Sequence, residues 1–212
     1  MIGKIAVCLI LGYAFGCFST GYFVGKLHHI DIRQYGSGNA GTTNALRTLG
    51  KRAGAMTFLG DILKCIIPIL FIRHILFAEV EYLPLLVLYT AVGVVLGHNY
   101  PFYLHFKGGK GIATAVGGVA AIAPLPAAAA FVVWLAVFKI SGYVSLGSIV
   151  AAVALPVLAW ALGFFKVTAA LPWSVIGFFA LLGAVHFQCG FVVIHSNAPL
   201  FCGRCGPVGS LV

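Results

Sequence analysis

Apolar segments of membrane-spanning length, separated by short polar loops, run through almost the whole of this chain. They fall at about 2–24, 53–73, 83–96, 112–138, 141–163 and 169–195. A helix needs about 20 such residues to cross the hydrocarbon core of a bilayer. The chain is 212 residues long, 61% hydrophobic and only 8% charged, whereas a soluble domain carries about 25% charged residues to cover its surface. The sequence therefore predicts an all-α integral membrane protein with about seven membrane helices. Residues 1–195 form a single membrane-embedded domain in this reading, with no room for a separate soluble one.

The seventh helix comes from residues 112–138, which are apolar apart from Pro124-Leu125-Pro126. One long proline-containing helix and two short helices split at Pro124/Pro126 both suit a membrane, and charge decides between them. Basic residues gather in cytoplasmic loops. If the loop at 26–52 is cytoplasmic, Glu79 and Glu81 lie outside and the loop at 98–111 lies inside. The split then keeps Lys139 and the C-terminal end inside too, alongside Lys26, Arg33, Arg47, Lys51, Arg52, Lys107 and Lys110. Residues 1–24 read as a retained first span, because they lack the basic start and small-residue cleavage site of a signal peptide.

The excess of 13 Lys+Arg over 4 Asp+Glu is read as this topology signal. Nucleic acid is excluded as a partner, since such binders carry their charge on a solvated face. Cys8, Cys17 and Cys65 sit inside apolar runs, where cysteine acts as a small hydrophobe. Cys202-Gly203-Arg204-Cys205 lacks the second ligand pair of a metal site, and neither metal nor cofactor is expected.

Chemistry is confined to two loops. Residues 36–44, Gly-Ser-Gly-Asn-Ala-Gly-Thr-Thr-Asn, alternate glycines with small hydrogen-bonding side chains. Glycine lets backbone approach a ligand and turn its N–H groups toward an anion. Lys107-Gly108-Gly109-Lys110-Gly111 adds two lysines just before a helix N-terminus, where an anion is favoured. The Walker pattern GxxxxGK[ST] is missing, so NTP hydrolysis is disfavoured. Asp61 and Lys64, three residues apart within a span, read as a structural ion pair. His98 precedes the second loop and suits either a base or a phosphate donor. The His-x4-Asp pair common in thioester-dependent acyltransferases is lacking; His74 and Glu79 have the spacing but fall on the opposite face.

In order, residues 36–44 with Arg47, then Asp61-x-x-Lys64, Gly97-His98, Phe106–Thr114 and Tyr143–Ile149 resemble the bacterial acyl-phosphate-dependent glycerol-3-phosphate acyltransferase family, PlsY. The likeness runs over about residues 5–165. It implies a seven-helix protein of the bacterial cytoplasmic membrane, with its active site on the cytoplasmic side. It also implies transfer of a fatty acyl group from acyl phosphate to the 1-hydroxyl of sn-glycerol 3-phosphate, giving lysophosphatidic acid and phosphate. Ser37, Asn39 and His98 would be the catalytic residues. Gly38, Gly41, Thr43, Asn44, Arg47, Lys107, Gly108, Gly109, Lys110 and Ser145 would bind the substrates. The first loop reads as an orienting hole and the second as a charged clamp. The proton acceptor is left open between His98 and a substrate phosphate oxygen.

The C-terminal end departs from the family. His195-Ser196-Asn197 is one residue shorter than the family's His-Arg-x-Asn, and no Glu follows it. His195 and Asn197 are carried over as substrate contacts, and 196–212 stands as an atypical tail. A small membrane transporter or channel for an anionic solute is the competing class. It is disfavoured because transporters place binding groups at the bilayer midplane on paired repeats, and no repeat is seen here.

Overall fold

A computed structural model describes residues 1–164, which contain helices and no strands. The helices are α1 (Ile2–Cys17), α2 (Thr20–Leu27), α3 (Thr42–Leu49), α4 (Lys51–Phe71), α5 (Leu83–Asn99), α6 (Ile112–Ile122), α7 (Pro124–Ser141) and α8 (Val144–Phe164). A wider π turn, Ile72–Leu76, extends α4. Ile2–Leu27, Lys51–Leu76, Leu83–Leu104 and Pro124–Ser141 are long and apolar enough to cross a membrane. The described residues fall into two compact units, 1–127 and 128–164. The span expected at 169–195, with His195, Asn197 and the tail 196–212, lies outside them.

The chain does break at the proline pair, but unevenly. Ala123 leaves the helical region (φ −142°, ψ 76°), as the residue before a proline does. Only α6, with 11 residues, is short; α7 has 18. Pro126 lies within the first turn of α7, where a helix needs no N–H donor, so it does not interrupt the helix. Arg73 donates from Nη1 to the Ala121 carbonyl at 3.1 Å, holding the far end of α6 against the π turn.

The first span, expected to be continuous, is broken at Phe18-Ser19. Backbone that leaves a helix at membrane depth must find new partners. Here Tyr103 donates its hydroxyl to the Cys17 carbonyl at 2.8 Å and accepts from the Ser19 N–H at 3.3 Å. The Lys64 ammonium takes the Phe18 carbonyl at 2.9 Å. Tyr103 lies just before the second glycine loop and Lys64 belongs to α4, so the break is tied to both.

Small residues set how close the helices come. Gly12 and Gly16 of α1 lie against Gly93 and Val94 of α5, and Gly93 and Gly97 of α5 lie against α1 backbone. Bare backbone faces bare backbone, which is how membrane helices gain packing without a hydrophobic driving force. Gly117 of α6 fits against the Ile62 backbone of α4 in the same way, and Gly118 meets the Cys65 sulfur. Gly21, in α2, faces the Ala40 carbonyl of the first polar loop as well as Thr57 of α4. Cys8, Cys17 and Cys65 are buried free thiols.

Candidate active site

The first loop is organised around Asn44, which is 1% exposed. Its Nδ2 lies 2.9 Å from the Ile32 carbonyl, 3.0 Å from that of Tyr35 and 2.8 Å from that of Asn39. Its Oδ1 accepts the Ser37 N–H at 2.8 Å. Gly36 adopts φ +59°, and a Cβ there would strike Asn44 Oδ1, so only glycine fits. Asn44, expected to touch substrate, is instead a latch whose polar atoms are all used within the loop. Ser37 and Gly38 stay exposed, while Asn39, Gly41 and Thr43 are half-buried. Arg47 occupies the last turn of α3 and is exposed.

The second loop returns to the helix it leaves. Gly108 donates its N–H to the Asn99 carbonyl and Gly109 to that of His98, each at 3.0 Å. These two amides satisfy orphan carbonyls at the end of α5 and are not free for an anion. His105 and Phe106 turn the chain with φ of 54° and 59°, an uncommon conformation for side-chain-bearing residues. Gly111, at φ +73°, opens α6. Lys107 is exposed and Lys110 half-buried. Ser145 belongs to the first turn of α8, in the second unit.

Behind this loop lies a buried charge cluster. Lys64 Nζ is 2.9 Å from Asp61 Oδ1, which is the ion pair read from the sequence. The same ammonium is 2.6 Å from His98 Nδ1. Asp61, Lys64 and His98 are 1%, 5% and 3% exposed. A proton acceptor needs a lone pair within reach of the substrate hydroxyl. His98 has its Nδ1 engaged by Lys64 and its ring walled off by Gly109, so its expected role as a base is withdrawn.

Arg33 joins the two loops. Its Nε and Nη2 grip the Asp31 carboxylate at 3.0 and 2.7 Å, and its Nη1 donates to the Leu104 carbonyl at 3.3 Å. The guanidinium also lies over the Tyr22 ring, 5.1 Å from its centroid. Tyr22 in turn meets Tyr103 edge to face. Sequence reasoning counted Arg33 only as loop charge and did not single out Asp31, Tyr22 or Tyr103. Their signal was slight, since aromatic and charged residues are ordinary at a membrane border.

The hydrogen bonds from Arg33 hold the Asp31 carboxyl below the usual carboxylate range, and the same contact raises the guanidinium. A depressed folded-state pKa contributes stability above the unfolded value, about 3.9 for Asp, and that contribution fades as pH falls through the folded value. Asp31→Asn is therefore expected to lower the melting temperature more at pH 7 than at pH 3. Thermal unfolding in detergent at the two pH values checks this; an equal gap at both would discount the ion pair.

Together these features define a class: a multi-pass helical membrane protein with two glycine-built polar loops bound to each other beside a buried ion pair. The chain matches the glycerol-3-phosphate acyltransferase family model over residues 6–196. It is 49% identical over 146 residues to a glycerol-3-phosphate acyltransferase of Clostridioides difficile (strain 630), covering 68% of this chain and 71% of that protein. A relative of the same name from Geotalea daltonii is 45% identical over 153 residues, covering 72% and 76%. The crystal structure of PlsY, an integral membrane glycerol 3-phosphate acyltransferase, in its glycerol 3-phosphate form superposes with a TM-score of 0.78. That likeness holds at 35% identity over 97% of this chain and 96% of that one. Its lysophosphatidic acid form gives 0.77 at 34%, over 97% and 95%. The chain belongs to the glycerol-3-phosphate acyltransferase family.

Proposed function

We infer that this acyltransferase, which acylates glycerol 3-phosphate to lysophosphatidic acid, takes its acyl group from acyl phosphate. The glycerol 1-hydroxyl oxygen attacks the acyl carbonyl carbon, an ester C–O bond forms and the acyl–phosphate C–O bond breaks. Inorganic phosphate leaves and carries away the hydroxyl proton on one of its oxygens. The observation that carries this reading is the junction of the two loops through Arg33 and Leu104. It joins a donor-rich loop followed by Arg47 to one bearing Lys107 and Lys110, as two phosphorylated substrates require. Acyl phosphate is already activated, so alignment and oxyanion stabilisation suffice.

In this reading Ser37 and Asn39 orient the hydroxyl and the developing oxyanion, with Gly38, Gly41 and Thr43 around them. Arg47, Lys107 and Lys110 offset phosphate charge. Gly108, Gly109 and Asn44 shape the loops. Ser145, His195 and Asn197 are assigned to substrate by family resemblance. Residues 1–195 act as one acyltransferase domain. The basic loops support an active site at the cytoplasmic face of the bacterial inner membrane.

Purified protein given palmitoyl phosphate and glycerol 3-phosphate is expected to release phosphate well above a Lys110→Ala control. Equal rates would sink the enzyme reading, and equal turnover of palmitoyl-CoA would remove the acyl-phosphate claim. Ser37→Ala is expected to lower turnover about 100-fold, as loss of one oriented donor does, with little change in melting temperature. A matching loss of stability would make Ser37 a turn residue only.

A further inference from the structure

Three acceptors converge on the Lys64 ammonium: Asp61 Oδ1 at 2.9 Å, the Phe18 carbonyl at 2.9 Å and His98 Nδ1 at 2.6 Å. An ammonium has three protons and no lone pair, so it can only donate; Phe18 and His98 take hydrogen bonds from it, while Asp61 Oδ1 stands at ion-pair distance without one. His98 Nδ1 must then be the acceptor, which leaves a neutral imidazole with its proton on Nε2. Asp61 Oδ1 is 3.6 Å from Nδ1, too far to compete as a hydrogen-bond partner.

The other edge of that ring meets the second loop. A Cβ on Gly109 would collide with His98 Nε2, and would come within 2.7 Å of Cε1. Those atoms are the far end of a side chain, and a free imidazole would swing aside at little cost. Lys64 removes that freedom, because turning the ring would leave one ammonium proton buried without a partner. Gly109 also donates its N–H to the His98 carbonyl, so one residue grips the loop by backbone and ring together.

We propose that Lys64 is a positioning residue: it locks the His98 ring as the Nε2–H tautomer, and that ring sets the backbone at Gly109 between the loop lysines Lys107 and Lys110. Lys64 also holds the Phe18 carbonyl, so the same ammonium registers the second loop against the α1–α2 break. The relay Phe18–Lys64–His98–Gly109 acts on turnover through loop geometry and touches no substrate atom. It rests on the acyltransferase reading only for its activity measurement.

The test has two arms. In a double-mutant cycle on phosphate release, Gly109→Ala and His98→Ala are each expected to cost about 100-fold, the scale of a 1 Å misplacement. Combined, they should be no worse than the poorer single variant, because removing the ring removes the collision. Losses that multiply to within about twofold, as independent sites do, would overturn the relay. The second arm needs no substrate and so stands even if the donor is misassigned. Nitrogen-15 NMR of the wild-type histidines is expected to find His98 bare at Nδ1 and protonated at Nε2. In the folded Asp61→Asn/Lys64→Met double variant, which removes both buried charges, the proton should redistribute toward Nδ1. A wild-type His98 protonated at Nδ1 overturns the proposal, as does a tautomer unchanged in the double variant. If no variant folds, the wild-type spectrum alone decides.

Discussion

Asn44→Asp is expected to destabilise the protein by about 3 kcal/mol or more, the scale of several buried hydrogen bonds left unmade, and to lower turnover at least about 100-fold as the loop shifts. The substitution conserves shape and changes one group. It places a carboxylate oxygen where Nδ2 now meets the carbonyls of Ile32, Tyr35 and Asn39 at 2.8–3.0 Å. Three attractive contacts become three repulsive ones at a site that is 1% exposed. Asn44→Ala removes the donor without adding the repulsion, so it should fall between the parent and the aspartate variant. Thermal unfolding in detergent, run beside phosphate release, checks both. A substrate ligand at this position would lose turnover while keeping its melting temperature, and that outcome would restore Asn44 to the binding surface.

That correction shows where reading the sequence stops. Composition and the spacing of apolar runs were enough to give a helical membrane protein, because no water-exposed fold tolerates so few charges. The glycine motifs were enough to mark the two loops to which the chemistry is assigned in the proposed function. A one-dimensional pattern does not reveal where a side chain's polar atoms are used. Asn39 and Asn44 look alike in the motif, yet Asn44 is consumed by four contacts within its loop. His98 looked like a base because it stands beside a charged loop; its lone pair is taken by Lys64, 34 residues earlier in the chain. Arg33 and Leu104 are 71 residues apart, and no local period connects them. The break at Phe18-Ser19 was hidden for the same reason, since its carbonyl partners come from Lys64 and Tyr103. By contrast, the Asp61–Lys64 pair was legible because helical geometry puts residues three apart on one face.

Gly97→Ala should be among the most damaging single-methyl substitutions between α1 and α5, with Gly16→Ala, whose Cβ would meet the Val94 backbone as closely. The Cβ added at Gly97 would meet the Cys17 nitrogen at 2.8 Å and the Gly16 carbonyl carbon at 2.9 Å, and would collide with the Tyr13 carbonyl. All three are backbone atoms, so no rotamer change relieves the contact and the helices must move apart. Overpacking of this kind costs about 1–3 kcal/mol. Separation would also pull the carbonyls of Cys17 and Phe18 away from Tyr103 and Lys64, the contacts that register the helix break against the second loop. A displacement of about 1 Å there costs about 100-fold in turnover. Gly3→Ala supplies the contrast, since a Cβ at Gly3, on the same α1, meets nothing within 4 Å. It should gain up to about 1 kcal/mol from helix propensity and leave turnover unchanged. Melting temperatures should therefore shift in opposite directions for the two variants. If both shift alike, the close backbone contact between α1 and α5 is not what holds the site in register.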